Sequence, residues 1–465
     1  MAGTWEYLLL SLLGTLVFVV VIFTLLRPSR YNGDSASNKD VSVQILVLGD
    51  IGRSPRMTYH ALSVAKHGGK VNLIGYLETS PHPDVLANPS ITITPLPVPP
   101  TRPKSIPFII FAPFKVIFQI LHLTHLFLYS LPPSKFLLVQ NPPSIPTLAV
   151  ASLSCYLRTT RLIIDWHNYG WTILASTRGS ANHPFVILSK LYETYFGRLG
   201  SHNLTVSHAM SRQLSSPPYS ITTPLTTVHD RPSAIFQPLS SSYSSSSLSE
   251  SREQILSRIL PVPELVPSII SGTTKLIVSS TSWTPDEDFS ILLSALTQYA
   301  AANNRNSTTP LLAVITGTGP QKQHYESQIA QLTKQGKLPN VRIVTAFLPF
   351  EDYAKLLACV DLGICLHMSS SGVDLPMKVV DMFGAGLPVA AYSGYESFSE
   401  LVREGENGTG FETAEELAEV LGRLLGSEGG KRELEVLRKG AVKEGSRRWD
   451  EEWNETVGKV LGFTV

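Results

Sequence analysis

The order of residues from Val360 to Ala391 leaves few folds open. Residues 360–366 form a mostly apolar run with the length and composition of a buried strand. Ser369-Ser-Ser-Gly372 follows, then Asp374, then a helical pattern that starts at Met377 and carries Asp381. Gly386-Leu-Pro388 then opens a second apolar run, 388–391. Strand, small-residue loop, helix and strand in that order predict a βαβ crossover within a parallel sheet. A Ser/Gly loop that runs into a helix presents backbone N–H groups and the positive end of the helix dipole, a setting that suits a diphosphate. A carboxylate one or two turns inside the helix suits a ribose diol. The plainer reading is a turn ahead of an amphipathic helix.

The same alternation covers most of the chain. Strands are expected at 44–48, 71–76, 136–139, 161–165 and 203–206, with helical apolar spacing over 57–67 after the first. A second series has strands at 275–279, 311–316, 341–345, 362–366 and 388–391, and helices at 290–301, 322–335, 351–358 and 377–383. Two such series in 465 residues predict two α/β domains, since one core of that size is unusual. Doubly wound sheets bind ligands beyond the carboxyl ends of their strands. The Ser-rich segment 239–251 lacks the apolar residues to bury a core and reads as an insertion.

Charged residues are only 16% of the chain and the net charge is +1, which gives no footprint for a nucleic-acid partner. Residues 8–26 are uncharged and almost wholly apolar, about 28 Å as a helix, close to the thickness of a bilayer core. Arg27 and Arg30 follow, and Glu6 alone is charged before it, so the rest of the chain is expected in the cytosol. The segment lacks the basic start of a cleaved signal and reads as an uncleaved anchor. Residues 106–131 form a second apolar stretch, interrupted by Lys115, Gln119, His122 and His125. That polar content predicts a helix lying in the membrane interface, with a core helix as the alternative. Cys155, Cys359 and Cys365 show no pairing or metal-ligand pattern. Sequons stand at Asn203, Asn306, Asn407 and Asn454.

Five strings, in order, carry a resemblance over nearly the whole chain after residue 41: Leu-Val-Leu-Gly-Asp-Ile-Gly-Arg-Ser-Pro-Arg-Met from Leu46, Asp-Trp-His-Asn-Tyr-Gly-Trp from Asp165, Thr-Ser-Trp-Thr-Pro-Asp-Glu-Asp-Phe from Thr281, Gly-Thr-Gly-Pro-Gln-Lys from Gly317, and the Ser369–Pro388 string. Together they resemble glycosyltransferases of the GT-B architecture, and more narrowly the chitobiosyldiphosphodolichol β-mannosyltransferase family. The resemblance implies two Rossmann-like doubly wound domains facing a cleft, plus an N-terminal transmembrane helix. The expected divisions are 1–27 anchor, 28–41 linker, 42–238 acceptor domain with membrane-associated segment 106–131, 239–270 Ser-rich insertion and linker, 271–440 nucleotide-sugar domain, and 441–465 crossover helix. It implies transfer of mannose from GDP-mannose to dolichyl-diphospho-chitobiose, with inversion, forming a β-1,4 bond. The setting implied is the cytosolic face of the endoplasmic reticulum membrane, with a single pass and other early dolichol-pathway glycosyltransferases as partners. Another transferase of that pathway, or a non-catalytic GT-B scaffold, are the alternatives.

In related families an acidic pair brackets the helix start. Asp381 fits the second acid and is expected on the ribose; position 373 is Val, so Asp374 stands in for the first, near the transferred sugar. Those families also hold the phosphates with an Arg and a Lys in the loop after the first strand of this domain. Here residues 282–288 contain three acids and no base, which shifts that role to Lys378 beside Ser370, Ser371 and Gly372, then to Lys322. Gly317 and Gly319 are expected to let backbone approach the donor. On the acceptor side, Gly52, Arg53, Ser54 and Arg56 at a helix start suit a clamp on the lipid diphosphate. An inverting transfer needs a base; Asp50 and His167 are the leading choices, with Asp165 and His208 also at strand ends. The spacing predicts no obligate protein-bound metal. A divalent ion such as magnesium remains compatible with the donor diphosphate.

Overall fold

The computed structural model describes residues 27–33, 41–239, 251–284, 286–303, 309–426 and 428–463. The expected anchor at 8–26, and 240–250 of the Ser-rich segment, lie outside them. The chain forms two compact units. One takes the residues up to Ile164 together with Tyr195–His202; the other takes Asp165–Thr194 and Asn203–Val465.

The N-terminal series runs β1 (Ser42–Asp50), α1 (Pro55–Lys66), β2 (Lys70–Tyr76), β3 (Ile91–Pro95), α2 (Phe108–His125), β4 (Phe136–Asn141), α3 (Thr147–Arg158), β5 (Arg161–Trp166), α4 (Gly170–Arg178), α5 (Pro184–Gly197), β6 (His202–Thr205), α6 (His208–Ser215) and β7 (Leu225–Thr227). Its sheet has the order β3-β2-β1-β4-β5-β6-β7. The β1–β2, β1–β4, β2–β3 and β6–β7 pairings are parallel. Val43, Ile45, Leu46 and Val47 are all buried, as is Gln44 between them, so neighbours pointing to opposite faces are enclosed and the strand is covered on both faces. Helix α1 opens on Pro55, whose missing N–H costs nothing in the first turn.

Helix α2 continues through a wider turn at Leu126–Ser130. The 22 residues Ile109–Ser130 are long and apolar enough to cross a membrane, and only 11% of their most apolar window is buried. Leu123, Phe127 and Leu128 are buried and Gln119 Nε2 donates to Tyr76 Oη at 3.0 Å, whereas Ile109, Ile110, Phe114, Ile117 and Leu121 are exposed. One edge packs on the unit and the other lies open.

The second series runs β8 (Lys275–Ser280), α7 (Phe289–Asn303), β9 (Leu311–Thr316), α8 (Lys322–Lys334), β10 (Val341–Ala346), α9 (Phe350–Cys359), β11 (Leu362–Cys365), α10 (Met377–Gly384), β12 (Val389–Tyr392), α11 (Phe398–Leu401), β13 (Gly408–Phe411), α12 (Ala414–Leu425), α13 (Glu428–Gly445) and α14 (Trp449–Trp453). Its six strands are ordered β10-β9-β8-β11-β12-β13, and every pair is parallel. The order reverses direction between β8 and β11. The loops after those two strands, 281–288 and 366–376, therefore flank the crevice where open α/β sheets take ligands. The crossover helix expected at 441–465 is the end of α13, which runs to Gly445, then α14, a wider turn, Asn454–Gly458, and one last turn, Lys459–Leu461.

Candidate active site

The loop after β8 is held from within. Glu287, 4% exposed, receives Ser282 N at 2.5 Å and Thr281 Oγ1 at 2.8 Å. Trp283 sits at φ +52°, wholly buried, with its ring 4.9 Å from Phe289 and 6.1 Å from Tyr325. Against this loop lies the one after β9. A Cβ on Gly317 would stand 1.9 Å from Thr281 O, and one on Gly319 would stand 1.8 Å from Ser282 O. Loop-against-loop packing thus requires both glycines, a reason that their Gly-x-Gly spacing did not disclose.

Lys378, in the first turn of α10, does reach the acidic loop. Its Nζ contacts Glu287 Oε1 directly and lies 3.4 Å from Ser282 Oγ. A base thus reaches 282–288 from α10, with its charge met by Glu287. Lys322 lies 3.8 Å from Glu326 on its own helix.

The loop after β11 is organised around Asp374. Its carboxylate receives Ser369 Oγ, Ser371 Oγ at 3.1 Å, and His367 Nε2 at 2.8 Å. Burial works to raise this carboxyl, but these hydrogen bonds hold it below its ordinary value. Gly372 adopts φ +77°, the left-handed conformation that glycine takes without a Cβ clash. Ser370 Oγ lies 3.3 Å from Asn168 Nδ2 and 3.2 Å from Thr172 Oγ1. Ser207 Oγ donates to Val373 O at 2.5 Å. The Ser/Gly loop is therefore tied to the residues that follow β5 and β6. Sequence reasoning did not single out His367; its place just past an apolar strand was the available signal.

Asp381 lies half-buried one turn into α10. Burial first, and the nearby Asp230 charge second, push its carboxyl up to about 8. Near neutrality it can donate as well as accept a hydrogen bond. Asp230 was not expected beside it.

Of the two candidate bases, His167 Nε2 lies 3.0 Å from Oδ2 of the wholly buried Asp165. That contact orients the ring through Nε2. Asp50 is more heavily bonded. It caps the turn Ile51–Arg53 and receives Gly52 N at 3.4 Å, Glu78 N and Thr79 N at 3.2 Å, and Thr79 Oγ1 at 2.6 Å. Burial is the largest single influence and works to raise it, but the hydrogen bonds from Thr79, Glu78 and Gly52 together leave it below the usual carboxylate range. A carboxylate so engaged is a poor acceptor for a substrate proton.

The expected arginine pair is not one clamp. Arg53 has a 75% exposed side chain, 3.5 Å from Asp50, whereas Arg56 is 2% exposed inside the first turn of α1. Ser54 Oγ donates to Asp50 O at 3.1 Å, and a Cβ on Gly52 would meet Thr79 Oγ1 at 2.3 Å.

Folding also assembles a group that spacing did not reveal: ligand atoms of His208, His229 and Glu400 lie within 4.8 Å of one another. The ligand atoms of Glu400 and His229 face protein partners. Glu400 receives His208 N at 2.6 Å and Ala209 N at 2.7 Å, and the two ring nitrogens of His229 face Glu400 and Glu452 at 3.3 and 3.4 Å. This set fits an ion-pair network better than a metal.

Residues 273–427 match a family model described as glycosyl transferases group 1. The chain is 45% identical to chitobiosyldiphosphodolichol β-mannosyltransferase of Arthroderma benhamiae, covering 98% of this chain and 99% of that one. It is 37% identical to the enzyme of that name from Candida albicans, over 99% and 96% of the chains, and 39% identical to that from Mus musculus, over 97% and 94%. Among solved structures it is similar to Anabaena Alr3699/HepE in complex with UDP and glucose, with TM-score 0.59, 15% identity, and 91% and 99% of the two chains covered. Sucrose-phosphate synthase from Thermosynechococcus elongatus gives TM-score 0.63 at 13% identity, over 90% and 98%. The two parallel Rossmann-like sheets are those of a GT-B glycosyltransferase.

Proposed function

The chain belongs to the chitobiosyldiphosphodolichol β-mannosyltransferase family, and from that premise we propose that it transfers mannose from GDP-mannose to dolichyl-diphospho-chitobiose, forming a β-1,4 bond with inversion. The observation that carries this reading is the 45% identity sustained across 98% of this chain and 99% of its relative. We place the reaction at the cytosolic face of the endoplasmic reticulum, with residues 8–26 as the anchor.

In this reading the donor lies over the loops after β8, β9 and β11. Asp381 takes the ribose diol, and Lys378 with the Ser370–Gly372 amides takes the diphosphate. Asp374, held by His367, Ser369 and Ser371, takes the sugar that is transferred. Gly317 and Gly319 shape the floor, and Lys322 stands at its edge. The acceptor hydroxyl attacks the anomeric carbon on the face opposite the diphosphate. Its proton passes to His167, which Asp165 orients, while the anomeric carbon–oxygen bond breaks and GDP leaves. Holding both reactants in line accounts for much of the rate. Arg53 and the Gly52–Ser54 backbone hold the lipid diphosphate; Asp50 shapes their loop rather than accepting the proton. A divalent ion, where one takes part, travels with the donor diphosphate.

The test is purified full chain with GDP-mannose and a phytanyl- or dolichyl-diphospho-chitobiose acceptor. A single added mannose in β-1,4 linkage is expected. An α linkage, or no transfer to this acceptor, would overturn the reading.

A further inference from the structure

Helix α5 has its polarity reversed. Its buried side carries Ser189, Glu193 and Thr194 alongside Val186. The wholly buried Glu193 receives Gly170 N at 2.9 Å and Tyr219 Oη at 3.2 Å. Its outer side carries Ile187, Leu188, Leu191 and Tyr195, continued past the helix by Leu199, all 47–63% exposed. Positions 187, 191 and 195 recur every four residues and so share one stripe. A helix facing water places its polar residues outward; this one encloses polar groups and exposes leucine and isoleucine.

The stretch of chain that carries it is poor in acids. Between Asp84 and Asp230 the sequence has ten Lys and Arg and only two acids, Asp165 and Glu193. Both acids are wholly buried, so among the described residues that stretch exposes no carboxylate side chain. Arg178 ends α4, Lys190 lies on α5 with its Nζ 4.4 Å from the Trp171 ring, and Arg198 follows α5. An apolar stripe with Tyr and Trp at its margin and bases around it is the composition of an element lying in a membrane interface. The same acid-poor stretch contains α2 with its open apolar edge.

We propose that the outer stripe of α5 docks into the headgroup–acyl boundary of a bilayer that carries anionic lipids. Leu188 and Leu191 enter the acyl region, Tyr195 stays at headgroup depth, and Arg178, Lys190 and Arg198 meet the lipid phosphates and carboxylates. This docking does not depend on the reaction proposed above, because it is read by fluorescence and not by turnover.

The experiment uses the full chain in vesicles of phosphatidylcholine alone or mixed with phosphatidylserine. Cys155, Cys359 and Cys365 are all buried, so a Leu191→Cys variant takes a single environment-sensitive label. Val436→Cys, on the 54% exposed face of α13, is the control. Nitroxide-bearing lipid should quench the label at 191, more strongly with phosphatidylserine present, and spare the one at 436. Arg198→Gln in the labelled background should lower the docked-to-undocked ratio about fivefold, the factor for ~1 kcal/mol per basic group at an anionic surface. Full quenching by aqueous iodide without lipid quenching overturns the proposal. So does protection that grows with protein concentration and ignores lipid, which would mean a second copy covers the stripe. Equal docking in both vesicle types overturns the anionic preference. Leu188→Cys repeats the measurement at a neighbouring site.

Discussion

At the scale of residues, Lys378 joins folding to the phosphate recognition proposed above. Its ammonium contacts Glu287, whose side chain is 4% exposed while that of Lys378 is 27% exposed. Lys378→Met leaves a buried carboxylate without its cation and should cost about 2 kcal/mol, below the ~3–5 kcal/mol of fully buried pairs because one partner is partly solvated. Adding Glu287→Gln should restore most of the stability and leave GDP affinity low. Urea melts and GDP titrations of both variants check this; recovery of GDP binding in the double variant would remove Lys378 from the phosphate site. Asp381 makes a separate prediction. Its carboxyl is raised from 3.8 to about 8 by burial and Asp230, so the folded state favours the protonated form. That stabilisation is complete below pH 3.8 and disappears as pH rises through about 8. Asp381→Asn is neutral throughout and should flatten the decline in Tm across that window. Asp381→Ala should also weaken GDP binding by roughly 1–3 kcal/mol by removing the hydrogen-bonding group. An unchanged GDP Kd in the Ala variant would show that the ribose lies elsewhere.

At the scale of elements, two contacts decide how loops and helices meet. Gly317 adopts φ +119° with the Thr281 carbonyl 1.9 Å from where a Cβ would be. Gly317→Ala should cost at least ~1–3 kcal/mol in strain and shift the loop after β9. A Tm within a degree of the parent would mean that the loops can part without penalty. The second contact is His229, which joins Glu400 of α11 to Glu452 of α14. Burial works to lower this imidazole, but the two carboxylates win and raise it. Its contribution is therefore complete below 6.5 and fades as pH rises past the raised value. Glu452 is held down at about 2 against burial by His229 and Arg231, so its share is complete above 4.5 and lost as pH falls toward 2. Protection of the α14 amides, taken as exchange rates corrected for intrinsic base catalysis, should be greatest between those limits and should fall as pH rises past the raised His229 value. In His229→Gln that loss of protection should vanish; if it persists unchanged, another group holds the helix.

At the scale of the whole molecule, the proposed topology places both units in the cytosol, and the fold narrows the test. Asn203 and Asn407 are wholly buried, with Nδ2 donating to Thr223 Oγ1 at 3.0 Å and to Leu401 O at 3.1 Å. A glycan on either would have to be added before folding and would then disrupt this packing, so their lack of glycan is a weaker sign of the compartment than that of an exposed sequon. Asn454 has an enclosed Oδ1. Asn306 lies outside the described residues and is the informative sequon. No endoglycosidase-sensitive shift is expected for the native protein; a glycan at Asn306 would reverse the orientation.

Period and local chemistry were legible from the chain alone. The run of buried β1 residues, the strand–Ser/Gly–helix order around Asp374 and Asp381, and the apolar length of 106–131 depend only on neighbours in sequence, and each has its element in the structure. Which side chains neutralise one another was not legible. Lys378 meets Glu287 across 91 residues, Asn168 meets Ser370 across 202, and His229 meets Glu400 across 171. Arg56 looked like a clamp and is enclosed; Asp50, read as a candidate base, also caps a turn. Periodicity reports the face a residue occupies on its own element. The partner of a charge, and so its role and its protonation, is decided when elements far apart in sequence pack together and exclude water between them.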